Sequence, residues 1–345
     1  MMKCDVFRGK DDIRTEMWPI PVPGPNEVLI KVMACGVCGS DVHIYHGDQG
    51  STATEPPMIL GHEFSGIVTQ IGEDVKSCQV GDHVSVDPAD NCNECWYCMN
   101  GMMSHCEHMR AIGTNVNGGF AQYCKVPGRL VHRLNPDVLF TEGAMVEPLA
   151  CCINGIDRSD IKAGDNVVVY GGGAIGLLLM QLAKRRGAAR VILVEPAEEK
   201  RNMAIKLGAD MTLDPVCEDV PEALKKSGLQ HIQCVIETCG LKATSEQAME
   251  IVDRGGTVLL FAVTAVDNVI ALRTYDLFQR EITVKGSFCS PYDIGRAVEM
   301  INSHSIDVTT MLAGLATLEE LPQILSNAAI RAKGKYIVLP NGKCD

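Results

Sequence analysis

Apolar residues follow two different rhythms along the 345-residue chain. Up to about residue 150 they come in short runs, such as Glu27 to Ala34 (EVLIKVMA), Gly66 to Ile71 and His83 to Val86, each bounded by Gly, Pro, Asp or Asn. Helical periodicity is scarce there, and runs of this length and punctuation predict β-strands. Beyond residue 150 the texture changes to VVVY at 167–170, an apolar helix from Ala174, VILVE at 191–195, a helix ending at Leu207 and Gly208, CVIE at 234–237 and TVLLFAV at 257–263. Strands alternating with helices predict a doubly wound α/β domain with a parallel sheet. An amphipathic helix around Ile294 to Ser303 and a last strand at Lys335 to Leu339 follow. Domain boundaries are expected near Pro148 to Cys152 and near Gly286 to Pro291.

Length agrees with two domains, because a single core stops growing near roughly 250 to 300 residues. The longest uncharged stretch, Asn166 to Ala183, has the length of a membrane span, but Gly171, Gly172 and Gly173 interrupt it. It reads as strand, turn and helix, so no membrane association is expected. A net charge of −12 and the absence of a dense basic run count against a nucleic-acid partner. Sixteen cysteines are too dilute for a disulfide scaffold, and the opening MMKCDVFRGKDD has no apolar core of a signal peptide. Cytoplasmic thiols are the expectation.

Candidate chemistry gathers in three places. Strand VVVY runs into Gly171-Gly172-Gly173-Ala174-Ile175-Gly176 and then into a helix, which fits G-x-G-x-x-G. Gly171 serves the tight turn, Gly173 the approach of a pyrophosphate and Gly176 close helix packing, while the helix N-terminus faces the phosphates. Glu195 ends the next strand, where an acid hydrogen-bonds both ribose hydroxyls and repels a 2′-phosphate, favouring NAD over NADP. Lys200 and Arg201, one turn into the next helix, could nevertheless reach a phosphate. Cys92, Cys95, Cys98 and Cys106 form C-x2-C-x2-C-x7-C, a closed thiolate set suited to structural zinc, with an iron–sulfur cluster as the rival. Cys38, His62, Glu63 and Glu147 come from separate segments and suit a catalytic zinc with an open position. Each also has a plain reading as a buried thiol, a core histidine, a surface acid or a helix-start acid.

CGSDVH at 38–43, GHEFSG at 61–66 followed by Gly72, the four-cysteine loop, VEPLA at 146–150 and GGGAIG at 171–176 stand in one order along the chain. Together they resemble the zinc-dependent medium-chain alcohol dehydrogenases, and within them the polyol and sugar branch of the sorbitol dehydrogenase type. The resemblance covers nearly the whole chain. It implies a β-rich, GroES-like catalytic domain formed by residues 1–150 and 288–345, with a structural zinc lobe at about 87–109. It implies a Rossmann NAD-binding domain at 151–287.

Residue by residue, the resemblance implies a catalytic zinc on Cys38 and His62, with Glu63 as the neighbouring acid and Glu147 binding directly or through water. Cys151 or Cys152, close by in sequence, could take the place of Glu147. Ser40 and His43 match a proton relay, and Glu63 is counted with them among the catalytic groups. Cys92, Cys95, Cys98 and Cys106 match the structural zinc site, giving two zinc ions per chain. Gly171, Gly173, Ile175, Gly176, Glu195, Arg201 and Glu237 match the cofactor site. Tyr45, Phe64, Glu147 and Arg296 are candidate substrate contacts. The implied reaction transfers a hydride from a secondary hydroxyl of a polyol, sugar or sugar acid to NAD+, in a homodimer or homotetramer. An enzyme of the L-threonine 3-dehydrogenase kind or another secondary alcohol dehydrogenase, and a nucleotide-binding protein without dehydrogenase activity, are the alternatives.

Overall fold

The computed structural model describes residues 1–342 apart from Gln49, Ser51 and Ala265. The chain divides into two compact units, Met1–Ala150 with Pro291–Asp345, and Cys151–Ser290. Among the described residues no helix is long and apolar enough to cross a membrane.

The first unit is built on a large sheet whose strands run in the order Val131–Arg133, His83–Val86, Glu63–Ile71, Glu27–Gly36, Lys335–Val338 and Leu312–Ala316, with Tyr123–Pro127 also paired to Glu27–Gly36. A smaller sheet joins Met2–Gly9 to Asp12–Trp18 and Met58–Ile59. Strand Glu27–Gly36 lies at the centre and is buried on both faces over most of its length, which explains its nearly continuous apolar sequence. Val28, Ile30, Val32 and Cys35 from this strand pack with Phe64, Val68, Phe120 and Leu321 in the unit's core.

Register sets up the chemistry of this unit. Gly36 pairs with Glu63 on one neighbour and with Ile337 on the other. Cys38 therefore emerges just past the end of one strand, beside His62 at the start of the next. Lys335 stands two residues before Ile337, on the same face of its strand.

The second unit is a six-stranded sheet in the order Met211–Leu213, Arg190–Val194, Asn166–Tyr170, Cys234–Glu237, Thr257–Leu260 and Thr283–Gly286. Every pairing is parallel. In chain order this is 3-2-1-4-5-6, the doubly wound order whose switch point lies between the first and fourth strands. The loops after Tyr170 and Glu237 flank that point. The fifth strand is shorter than its apolar run: it ends at Leu260, after which the N–H groups of Phe261 and Ala262 both turn to the Glu237 carbonyl. Val263, the last residue of the run, is 69% exposed.

Candidate metal centres and nucleotide turn

The four-cysteine loop brings its sulfurs within 4.8 Å of one another. Cys92 Sγ lies 3.5 Å from Cys106 Sγ and 3.9 Å from Cys98 Sγ. Four sulfurs about 2.3 Å from one tetrahedral zinc stand about 3.8 Å apart, so this spacing fits the ion. Asn93, in the left-handed conformation at φ 60°, turns the chain between the first two sulfurs. The N–H of Cys95 donates to Cys92 Sγ at 3.4 Å and that of Cys92 to Cys106 Sγ at 3.3 Å. Backbone N–H groups at Cys98 and Glu107 draw the Cys95 thiol down to about 6. Desolvation and the neighbouring sulfurs push Cys98 up to about 12. Four sulfurs cannot all ionise so close together without a cation, and a divalent ion removes that conflict.

Cys38, His62 and Glu63 form the second close group. Glu147 is not part of that mutually close set, although its charge is felt by Lys335 in the same neighbourhood. Cys38 caps the helix Gly39–Tyr45, and its N–H donates to Asp41 Oδ2 at 2.9 Å. Asp41, fully buried, turns its other oxygen to His62 Nδ1 at 3.5 Å. The imidazole Nε2 lies 3.3 Å from Ser40 Oγ. Desolvation opposes protonation of His62, but Asp41 and Cys38 outweigh it and hold the imidazole well above its usual value. His43, one turn along the same helix, contacts Asp48 at 3.5 Å and is one-third exposed.

Two further groups complete this centre. Lys335 Nζ forms a short ion pair with Glu63 Oε2, both side chains being almost wholly buried. Burial disfavours the ammonium, yet Glu63, Cys38 and Glu147 together keep its pKa raised. Gly36 makes the pair possible, because a Cβ there would stand 2.1 Å from Glu63 Oε2 and 3.1 Å from Lys335 Cε. Asp41 and Lys335 were not among the expected site residues. Asp41 had a local signal in Cys38-Gly-Ser-Asp41, whereas Lys335 had none, its partner being 272 residues away.

Three of the candidate substrate contacts have structural commitments. Tyr45 is 7% exposed and donates its hydroxyl to Asp11 O, Phe64 is 1% exposed, and Arg296 pairs with Asp293 at 2.9 Å.

In the second unit the glycine turn is shaped by close approach. Gly171 has φ +101°, a Cβ on Gly172 would lie 2.8 Å from Glu195 Cγ, and one on Gly176 would lie 1.9 Å from Gly171 O. Nothing stands within 4 Å of a Cβ built on Gly173, which caps the helix Ala174–Arg185. Ile175, half-buried in the first turn of that helix, uses its carbonyl to accept from Cys152 Sγ. Glu195 accepts from Gly172 N–H at 2.6 Å and Ala197 N–H at 3.0 Å. Glu237, buried, accepts from Cys239 and Gly240 N–H and from the Thr244 hydroxyl, so its carboxylate organises its own turn. Arg201 donates to the Glu195 and Pro196 carbonyls.

Residues 24–136 match the alcohol dehydrogenase GroES-like domain, and residues 174–303 match the zinc-binding dehydrogenase domain. D-arabinitol dehydrogenase 1 of Uromyces fabae is 32% identical over 326 residues, covering 93% of this chain and 92% of that protein. The chain belongs to the zinc-dependent medium-chain dehydrogenases. Sorbitol dehydrogenase of Bombyx mori, 30% identical across 96% of this chain and 97% of its own, is another member of similar extent. The crystal structure of a zinc-binding dehydrogenase from Sinorhizobium meliloti 1021 bound to NADP superposes with a TM-score of 0.95 at 37% identity, covering 99% of each chain. For a zinc-dependent dehydrogenase the donor chemistry is apt. The lobe offers four sulfurs and a closed shell, and the second centre offers sulfur, imidazole and carboxylate.

Proposed function

We propose that this dehydrogenase oxidises a secondary hydroxyl of a polyol, sugar or sugar acid, passing the hydride to NAD+, in the cytoplasm. The observation that carries the proposal is the Cys38, His62 and Glu63 centre with Asp41 and Ser40 around it. Its similarity to a D-arabinitol and a sorbitol dehydrogenase supports the substrate class. Bound zinc would supply a Lewis acid that lowers the pKa of a hydroxyl by several units.

The chain's own residues do the rest. Asp41 sets a buried carboxylate against the Nδ1 side of His62. We assign to Ser40 Oγ, 3.3 Å from His62 Nε2, the taking of the substrate proton, and to His43, partly exposed on the same helix, its return to solvent. Glu147 is proposed as a ligand held directly or through water. Gly171, Gly173, Ile175 and Gly176 would present backbone N–H groups to the dinucleotide phosphates, and Glu195 would take the ribose hydroxyls. The Sinorhizobium meliloti structure was bound to NADP. Glu195 argues for NAD here, since a carboxylate repels a 2′-phosphate.

A homodimer or homotetramer is also proposed. The helix Thr274–Arg280 buries none of its residues, while Tyr275 and Phe278 on it are 65% and 79% exposed. So short a helix is not stable in water by itself, and a second copy would cover its rings.

A panel of polyols, sugar acids and L-threonine, followed by NADH absorbance, tests the substrate class, and turnover of L-threonine alone would overturn it. Metal analysis should find two zinc ions per chain, and Cys38→Ala should abolish turnover with the fold intact. Full turnover in that variant would overturn the catalytic assignment. Light scattering should show an oligomer that Phe278→Asp dissociates.

A further inference from the structure

We propose that Asp214 is a specificity-determining residue that enforces NAD over NADP by restraining the arginine best placed to bind a 2′-phosphate. The inference rests on the cofactor reading above. Arg201 sits in the helix Glu198–Lys206, which follows the strand ending at Val194. A guanidinium there, free to turn outward, would meet a ribose phosphate through parallel N–H donors.

It is not free. Arg201 Nη1 donates to the carbonyls of Glu195 at 2.8 Å and Pro196 at 2.6 Å, and stands 3.2 Å from Asp214 Oδ2. The two side chains are only 17% and 18% exposed, so the pair is little screened by water. Sheet register puts Asp214 there: Val194 pairs with Leu213, so the next residues, Glu195 and Asp214, leave adjacent strands side by side. Asp214 is itself rigidly set. Its Oδ1 accepts from Val216 N–H at 2.9 Å, and its own N–H donates to Glu218 at 2.8 Å.

Two consequences favour NAD. The first is electrostatic. Glu195, Asp214 and Arg201 together carry one net negative charge where a 2′-phosphate would bring about two more. The second is geometric. By gripping the Glu195 and Pro196 carbonyls, Arg201 fixes the backbone from which the Glu195 carboxylate reaches Gly172 and Ala197 N–H, holding that acid at the ribose position. Arg201 is thus a positioning residue for Glu195, and Asp214 acts through it. Lys200, half-buried and next to Arg201 on the same helix, is the other cation of this segment.

Binding of AMP and of 2′-phosphoadenosine 5′-phosphate, measured by calorimetry on the zinc-loaded protein, isolates this end of the cofactor. Asp214→Asn should raise the affinity ratio for the 2′-phosphorylated ligand about tenfold, the gain of one charge-assisted contact. The ratio of NADP+ to NAD+ kcat/KM should rise with it, chiefly through KM. Asp214→Ser should do the same, which guards against a folding defect peculiar to one variant. Arg201→Gln alone, which loosens Glu195 and leaves no guanidinium for the phosphate, should weaken AMP binding without tightening that of the 2′-phosphorylated ligand, and adding it to Asp214→Asn should remove that variant's gain in affinity for the 2′-phosphorylated ligand. An unchanged ratio in folded Asp214→Asn and Asp214→Ser overturns the proposal, as does a gain that survives in the double variant. If the wild type binds neither AMP nor NAD+, the cofactor reading itself falls, a result distinct from the other two.

Discussion

Replacing Lys335 with methionine keeps the volume of the side chain and removes its charge, leaving the Glu63 carboxylate, 1% exposed, without its cation. Breaking a buried pair by deleting one partner costs about 3 to 5 kcal/mol, because the remaining charge keeps its desolvation penalty and loses the attraction that offset it. That loss should appear in full when zinc has been removed by chelation. With zinc bound, the cation beside Cys38 and His62 takes over part of the compensation, and the loss should shrink. Urea unfolding of wild type, Lys335→Met, Glu63→Gln and the double variant, each with and without zinc, measures the coupling as a thermodynamic cycle. The double variant should recover most of the single variant's loss, since a neutral amide can be buried more cheaply than an unpaired carboxylate. A zinc-free cost below about 1 kcal/mol, a value typical of exposed pairs, would refute the reasoning. So would a double variant no more stable than Lys335→Met.

Other perturbations separate fold from chemistry. Asp5 is fully buried, and desolvation pushes its carboxyl up to about 7 against the help of the Thr15 hydroxyl. Its folded form therefore holds a proton that the unfolded chain releases near pH 4, so the unfolding free energy should fall as pH rises from about 4 to 7, by up to about 4 kcal/mol. Asp5→Asn should accordingly stabilise the protein more at pH 8 than at pH 5 in urea titrations, and equal effects would sink this account. Gly173→Ala should leave thermal stability nearly unchanged, as its Cβ meets nothing, yet weaken NAD+ binding at least tenfold by calorimetry. Gly176→Ala, whose Cβ would stand 1.9 Å from a backbone oxygen, should instead lower the melting temperature itself. Cys106→Ser should reduce bound zinc from two ions to one and destabilise the lobe, read by metal analysis and by proteolysis between residues 87 and 109.

What the sequence disclosed depended on how local each signal was. Four of the six parallel strands and the glycine turn were legible because each is written in consecutive residues, down to CVIE at Cys234–Glu237, whereas the short strands Met211–Leu213 and Thr283–Gly286 carry no comparable apolar run. The paired strands that bring Cys38 to His62 were legible as motifs but not as geometry, since the Gly36 to Glu63 register is a long-range pairing. Lys335 opens an apolar strand and looked like a polar strand end until the sheet placed it across Gly36 from Glu63. Glu237 was legible as a strand-end acid, but its three donors lie in the turn it organises. The run from Thr257 to Val263 shows the opposite limit. Hydropathy alone cannot tell an apolar residue that fills a core from one that is left exposed, as Val263 is.

The strand Lys335–Val338 lies in the interior of the large sheet, between Glu27–Gly36 and Leu312–Ala316. During synthesis it leaves the ribosome after the whole of residues 151 to 290, a continuous unit whose sheet needs no later strand. The first unit, though begun first, cannot close its sheet until that late strand arrives. Until then Glu63 has no ammonium partner. A nascent chain would thus complete the nucleotide unit before the metal-binding one, and interrupted translation beyond residue 290 would yield a folded nucleotide unit joined to an unfinished sheet.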